Sequence, residues 1–355
     1  MKKFLIINPF GIGDVLFTTP VIKAIKEADF QNSVSYWCNE RVREVLVNNP
    51  NIDKIFALSR GDLKKIYQES TFQGASRFFS LLQQIKKERF DVALDYSLDH
   101  RYSLIAKILG IKKRIGYNYK KRGRFLSDKI DLNGYSKKHI VEYYLGLLKF
   151  VDILSKNKNL DLFVSEHPLT RIRNILRYEG IKENDPIIGI APGAGGSWGA
   201  DAKLKHWQPL RFAELADKII DNFGAKVLIL GDASERNIAD IIVAAMKNKP
   251  VDLVGKTTLG ELVAAIKSSR LLVTNDGGPL HMAVALGIKT VSIFGPVDEK
   301  VYGPYPVSPS HIVIKKDLPC RPCYKQFRMP LCDRDRECIK AISVDEVFAA
   351  VRRIM

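Results

Sequence analysis

Apolar positions along this chain fall into short runs separated by polar or helix-periodic stretches. Residues 3–8 read as a buried strand, followed by a glycine turn and an apolar-periodic helix over about 15–26. Further short runs at 33–37, 54–57 and 91–94 predict strands with helical stretches between them. A long helical pattern over about 139–154 closes this half, and the polar segment 156–159 suits a linker. The second half alternates more clearly, with strand candidates at 187–191, 226–230, 252–254, 271–274 and 290–294. Helices fill the gaps, notably 209–222 and 234–247, and an amphipathic helix over 343–354 has Ser343 as its N-cap. Short strands alternating with helices imply parallel βαβ units. The pattern therefore predicts an α/β protein of two doubly wound, Rossmann-like domains, 1–160 and 161–355, facing across a cleft. It shows no short internal repeat and no low-complexity tract.

Length agrees, since 355 residues correspond to roughly two domains. With 46% hydrophobic and 27% charged residues, the composition excludes disorder and collagen-like structure. No apolar run approaches the ~20 residues of a membrane-spanning helix. The opening apolar run, Phe4 to Ile7, is too short for a signal-peptide core, which argues against export.

Charge adds a direction. The formal net charge is +17, and the first 180 residues hold 32 basic against 19 acidic, a balance of +13. The densest run is Lys112, Lys113, Arg114, Lys120, Lys121, Arg122 and Arg124, read as a basic loop. Such a loop attracts polyanions, whether nucleic acid, anionic lipid headgroups or an acidic glycan, and it is equally a solvated surface.

Candidate chemistry gathers at the strand ends. The loop Asn8-Pro9-Phe10-Gly11-Ile12-Gly13-Asp14 lies beyond the carboxyl end of the first strand, where open α/β sheets bind ligands. Its Gly11-Ile12-Gly13 starts like a dinucleotide fingerprint, but Leu16 stands where the third glycine belongs, which argues against nicotinamide chemistry. Asp14 offers a carboxylate at a helix start, where it serves either chemistry or capping. A second glycine loop, Ala191-Pro192-Gly193-Ala194-Gly195-Gly196, continues to Lys203-Leu204-Lys205-His206-Trp207. Exposed amides with two lysines suit a diphosphate, without the spacing of an ordinary NTPase loop. Asp232 and Glu235 follow a strand end and suit either a ribose hydroxyl or the helix dipole. Asn275-Asp276-Gly277-Gly278-Pro279-Leu280-His281 ends another strand and opens a helix of small residues, whose first amides would face an anion. Cys320, Cys323, Cys332 and Cys338 form a cysteine-rich loop over 320–338. Four thiols so close suit a structural zinc or iron site, with disulfides or free thiols as alternatives.

These motifs converge on a family. The chain resembles the bacterial ADP-heptose–lipopolysaccharide heptosyltransferases, the ninth glycosyltransferase family, and looks closer to the second heptosyltransferase of core assembly than to the first. The resemblance runs through nearly the whole chain. It rests on Gly11 to Asp14, on Arg114-Ile115-Gly116-Tyr117, on Pro192-Gly193-Ala194 with Lys205-His206-Trp207, and most specifically on Asn275 to His281. It implies the GT-B fold, with an N-terminal acceptor domain and a C-terminal nucleotide-sugar domain. It also implies inverting transfer of heptose to the lipopolysaccharide inner core on lipid A, with no catalytic metal. Carried across, Asp14 matches the general base and Lys205 the phosphate-contacting lysine. Glu235 matches an acid near the donor ribose, and Asp276 one near the donor sugar. Gly13, Gly193, Asp232, Asn275, Gly277, Gly278 and His281 complete the expected donor contacts.

The chain departs from the family in a longer loop before the lysine, so that Lys203 stands as an alternative to Lys205, and in its Gly278-Pro279 pair. The basic residues from Lys112 to Arg124 would hold acceptor phosphates or the membrane. That places the enzyme in the cytoplasm, peripheral at the inner face of the inner membrane. Two other readings stand beside this one. The same fold would serve another nucleotide sugar or a protein acceptor. A basic nucleic-acid-binding protein would use Tyr117 and Tyr119 among its cations but leaves the strand-end motifs unexplained, so no nucleic-acid partner is expected.

Overall fold

The computed structural model describes residues 1–58, 64, 68 and 70–355. The chain divides into two compact units, Met1–Asp161 and Leu162–Met355. In the first, six parallel strands form one sheet: β1 (Lys3–Ile7), β2 (Ser33–Cys38), β3 (Lys54–Ala57), β4 (Val92–Asp95), β5 (Lys113–Tyr119) and β6 (Asp128–Leu132). Their spatial order is β3-β2-β1-β4-β5-β6. The direction of winding reverses between β1 and β4, whose register pairs Ile7 with Asp95. The core lies where Leu5, Ile7, Trp37, Ala93 and Tyr102 pack together. Each large apolar side chain removed from water there contributes about 1.5–3 kcal/mol.

The second unit repeats this plan with a different sequence. Its strands are β7 (Ile187–Ala191), β8 (Lys226–Ile229), β9 (Val251–Asp252), β10 (Leu271–Asn275), β11 (Lys289–Ile293) and β12 (His311–Ile314). They are ordered β12-β11-β10-β7-β8-β9. Counted from its own first strand, this is the same order, with the reversal between β7 and β10. The last helix, Val344–Ile354, starts at Ser343 as expected, in a capping box with Glu346, and buries Val347 and Val351. Among the described residues, no helix is long and apolar enough to cross a membrane.

Three expectations from the chain pattern need correction. The first helix is two, Ile12–Leu16 and Thr19–Ala28. Pro20 has no N–H to continue the ladder, and the hydroxyls of Thr18 and Thr19 donate to the carbonyls of Val15 and Leu16 at 2.6 and 2.7 Å. The helix expected over 139–154 is α-helical only at Ile140–Gly146, then tightens to a 3₁₀ segment, Leu147–Val151, and stops at Asp152 with φ 57°. The largest correction concerns the basic loop. Its first part is the strand β5, in which Ile115, Tyr117 and Tyr119 are buried. Gly116 lets β5 approach β4, since a Cβ there would lie 2.6 Å from the Asp95 carbonyl oxygen. Strands β6 and β12 also escaped the sequence pattern.

Candidate functional site

In open doubly wound sheets, ligands bind beyond the carboxyl ends of the strands where the winding reverses. Each unit places its strand-end chemistry there. In the first unit, Asn8 follows β1, and its side chain fixes the glycine turn by donating to the Asp14 carbonyl at 3.0 Å and accepting from the Phe10 amide at 3.2 Å. Asn39, beyond β2, donates to the carbonyls of Pro9 and Phe10 at 3.0 and 2.7 Å. The turn is thus held from two sides, and Asp14 projects from the first turn of the short helix that follows. Gly13 precedes it in the same turn. The Tyr144 hydroxyl donates toward Asp14 Oδ1 at 3.5 Å. Tyr144 is buried, and its own carbonyl accepts from the Tyr96 hydroxyl at 3.1 Å. Burial holds the phenols of Tyr36 and Tyr135 well above their usual range, with Cys38 adding to the first, Tyr117 to the second, and Asp14 contributing less to both.

Asp95, at the end of β4 beside β1, escaped the sequence reading. It is buried, accepts from the Ser97 amide at 2.9 Å, and is pushed up to about 6 by burial, with Asp99 adding to the shift. The available signal was a carboxylate directly after the apolar run Val92-Ala93-Leu94, followed by a serine two positions on.

The expected acceptor cations part company. Arg114 donates to the carbonyls of Phe125, Ile111 and Lys112 at 2.7, 2.5 and 2.7 Å, and Lys113 donates to the Phe150 carbonyl. Both side chains bond backbone carbonyls of residues outside the sheet. Lys112, Lys120, Lys121 and Arg122 are exposed. Lys120 lies over the Tyr119 ring at 5.1 Å and Arg124 over Phe125 at 4.8 Å. Lys120 and Lys121 turn the chain with φ of 49° and 60°.

In the second unit, Asn275 joins the two central strand ends. Its amide donates to the Pro192 carbonyl at 2.6 Å, while its Oδ1 accepts from the Trp207 amide at 3.1 Å. Next to it, Lys205 and Asp276 form an ion pair at 2.8 Å, with side-chain exposures of only 2% and 6%. Lys203 is exposed, and its carbonyl accepts from Arg336 at 2.8 Å. Of the two candidate lysines, Lys205 is therefore the one placed at the strand ends. Its charge, added to burial, lowers the pKa of His206. Gly277 precedes the helix Gly278–Ala285 and lies against the Ala194 backbone, while His281 is buried within that helix.

Glu235 reaches into the second glycine loop. Its Oε1 accepts from the Gly195 amide at 3.2 Å and its Oε2 from the Asp232 amide at 3.2 Å. The second bond belongs to a capping box in which Asp232 accepts from the Ser234 amide at 2.7 Å. Burial and then Asp232 raise the Glu235 carboxyl above its usual value. Gly193 is required here, because a Cβ would lie 1.6 Å from Glu235 Oε1.

The four clustered cysteines carry free thiols and line one cavity of about 270 Å³ with Pro296, Pro322 and Leu331 among its walls. Cys323 donates to the Cys320 carbonyl at 3.1 Å, and burial, with the neighbouring thiols, pushes it up to about 11. Among the described residues, no three His, Cys, Asp or Glu side chains converge closely enough to hold a metal ion. As placed, Cys320, Cys323, Cys332 and Cys338 share a cavity without forming a ligand sphere.

The family description "Glycosyltransferase family 9 (heptosyltransferase)" matches residues 78–330. The chain is 26% identical over 309 residues to lipopolysaccharide heptosyltransferase 2 of Escherichia coli K12, covering 83% of each protein. Among solved structures, a family 9 glycosyl transferase from Veillonella parvula superposes with a TM-score of 0.83 at 22% identity, over 99% of this chain and 97% of that one. The ADP-heptose lipopolysaccharide heptosyltransferase II of E. coli gives 0.76 at 22% identity, over 99% and 98%. Two six-stranded parallel sheets with the same winding are the two halves of the GT-B fold. The chain belongs to glycosyltransferase family 9, the heptosyltransferases, and is a glycosyltransferase.

Proposed function

We propose that this enzyme transfers heptose from ADP-heptose to the phosphorylated inner core of lipopolysaccharide on lipid A, inverting the anomeric centre. The observation that carries this reading is the buried Lys205–Asp276 pair beside a glycine loop at the reversal point of the second sheet. A cation, loop amides and the start of the helix Gly278–Ala285 suit a diphosphate. One carboxylate acting as base is what a single inverting displacement asks of the acceptor side. In this reading the unit Met1–Asp161 binds acceptor and the unit Leu162–Met355 binds donor. The acceptor hydroxyl attacks the anomeric carbon, its proton passes to Asp14, and the bond to ADP breaks with the electron pair leaving on the diphosphate. Lys205 and the amides of Gly277 and Gly278 offset the charge that develops there. Lys112, Lys120, Lys121, Arg122 and Arg124 hold acceptor phosphates and the anionic cytoplasmic surface of the inner membrane. The reaction needs no metal, because Lys205 and the loop amides supply the charge that a metal would otherwise bring. A zinc or iron on the four cysteines would be structural and would require their loop to close around it. Metal analysis of the purified protein tests this.

Calorimetry with ADP, UDP, GDP and CMP tests the donor, with Asp14→Asn alongside, followed by turnover of ADP-heptose on lipid and protein acceptors. ADP preference retained in the variant supports the reading. Preference for UDP or GDP would replace the donor, and the Gly278-Pro279 pair is the place in the pocket where such a change would be written.

A further inference from the structure

We infer that the Lys205–Asp276 pair makes the donor site discriminate the intact nucleotide sugar from the nucleoside diphosphate released by the reaction. This rests on the reading of Lys205 as the diphosphate contact and Asp276 as the sugar contact. The two groups are 2.8 Å apart and almost closed to solvent. Before a ligand arrives, each is the other's counter-charge. A diphosphate that takes Lys205 strips Asp276 of its cation inside a site where water reaches poorly, and an unpaired buried carboxylate is strongly unfavourable. The nucleoside diphosphate alone has nothing to offer that carboxylate. The nucleotide sugar does, because its hydroxyls donate hydrogen bonds to Asp276 as its phosphates capture the lysine.

The exchange is therefore favourable only when both halves of the ligand are present. Neighbouring geometry keeps the alternatives closed. Asn275, the residue before Asp276, is already committed to the Pro192 carbonyl and the Trp207 amide. Gly277, the residue after it, is packed against Ala194. Asp276 thus has little freedom to swing out to solvent when its lysine is taken. After transfer, the sugar leaves, the carboxylate loses its donors, and recapture of Lys205 by Asp276 helps expel the diphosphate. The pair is a built-in means of limiting product inhibition.

The test compares affinities of ADP, ADP-heptose and inorganic pyrophosphate for the unaltered enzyme and for Asp276→Asn, by calorimetry. A thermal melt of each protein verifies the fold. In the unaltered enzyme, ADP-heptose should bind at least about tenfold more tightly than ADP. In the variant, Lys205 has no competing carboxylate, so ADP and pyrophosphate should each bind about tenfold more tightly than before. The preference for ADP-heptose should shrink correspondingly. Unchanged or weaker ADP binding in a folded variant would overturn the inference, showing that Asp276 only positions Lys205. Should the unaltered enzyme bind neither ADP nor ADP-heptose, the donor reading would fall and the inference with it. A variant too unstable to assay is replaced by Asp276→Ser, for which the same gain in pyrophosphate affinity is required.

Discussion

Replacing Gly193 with alanine should damage the second glycine loop through one identifiable side chain. The added Cβ would stand 1.6 Å from Glu235 Oε1 and 2.0 Å from its Cδ. Restoring ordinary contact moves the carboxylate by roughly 2 Å, which the flexible glutamate can do, so steric strain is not the main cost. The cost is in what the carboxylate releases, namely the Gly195 amide at 3.2 Å and the Asp232 amide at 3.2 Å. A hydrogen bond from a partly buried amide to a charged acceptor contributes about 2 kcal/mol, and the exposed capping bond about 1. The expected loss is therefore about 3 kcal/mol, or roughly 6–12 °C in melting temperature for a domain of this size. Circular dichroism melts of Gly193→Ala, Glu235→Ala and the double variant measure it. Removing Glu235 already forfeits the same bonds, so the double variant should be no less stable than Glu235→Ala alone. If the two losses simply added, the glycine would be required for some reason other than Glu235.

Asp14→Asn should lower the turnover rate by about 10²–10⁴-fold while leaving ADP affinity unchanged, measured by product formation and calorimetry on the same preparation. Asp95 is raised from 3.8 to about 6, so its stabilising contribution is complete below pH ~4 and lost as pH rises through about 6. At neutral pH this amounts to ~3 kcal/mol of lost stability. Urea midpoints between pH 4 and 7.5 should accordingly show a flatter slope for Asp95→Asn and a more stable variant at pH 7.5. Replacing Lys120, Lys121 and Arg122 together with serine should raise the KM for lipid acceptor by roughly 100-fold, at about 1 kcal/mol per cation, with ADP binding intact. Equal loss of ADP binding would assign these residues to the donor or to the fold.

Much of this protein was legible because strand cores and turns are local properties. A run such as Ile187 to Ala191 must be buried on both faces wherever it lies in a parallel sheet, and the expected strand matches β7 residue for residue. Ser343 and Glu346 cap the last helix through neighbours three residues apart, and glycine turns after strands declare themselves in the same way. The family motifs were local as well. Pairing across distance was not legible. Arg114 and Lys113 read as charge for a partner, yet both donate to backbone carbonyls, which any sequence supplies and no residue type announces. The period-two burial of Ile115, Tyr117 and Tyr119 was masked by the cations around it. Lys203 and Lys205 look equivalent two positions apart. Only contacts such as Trp207 with Asn275, 68 residues away, decide which lysine meets Asp276. The shared winding of the two sheets left no repeat in the sequence, because many apolar sequences satisfy one strand order. A strand's neighbours are chosen by tertiary packing, and it is that choice which sets Asp95 beside β1 and Lys205 beside Asp276.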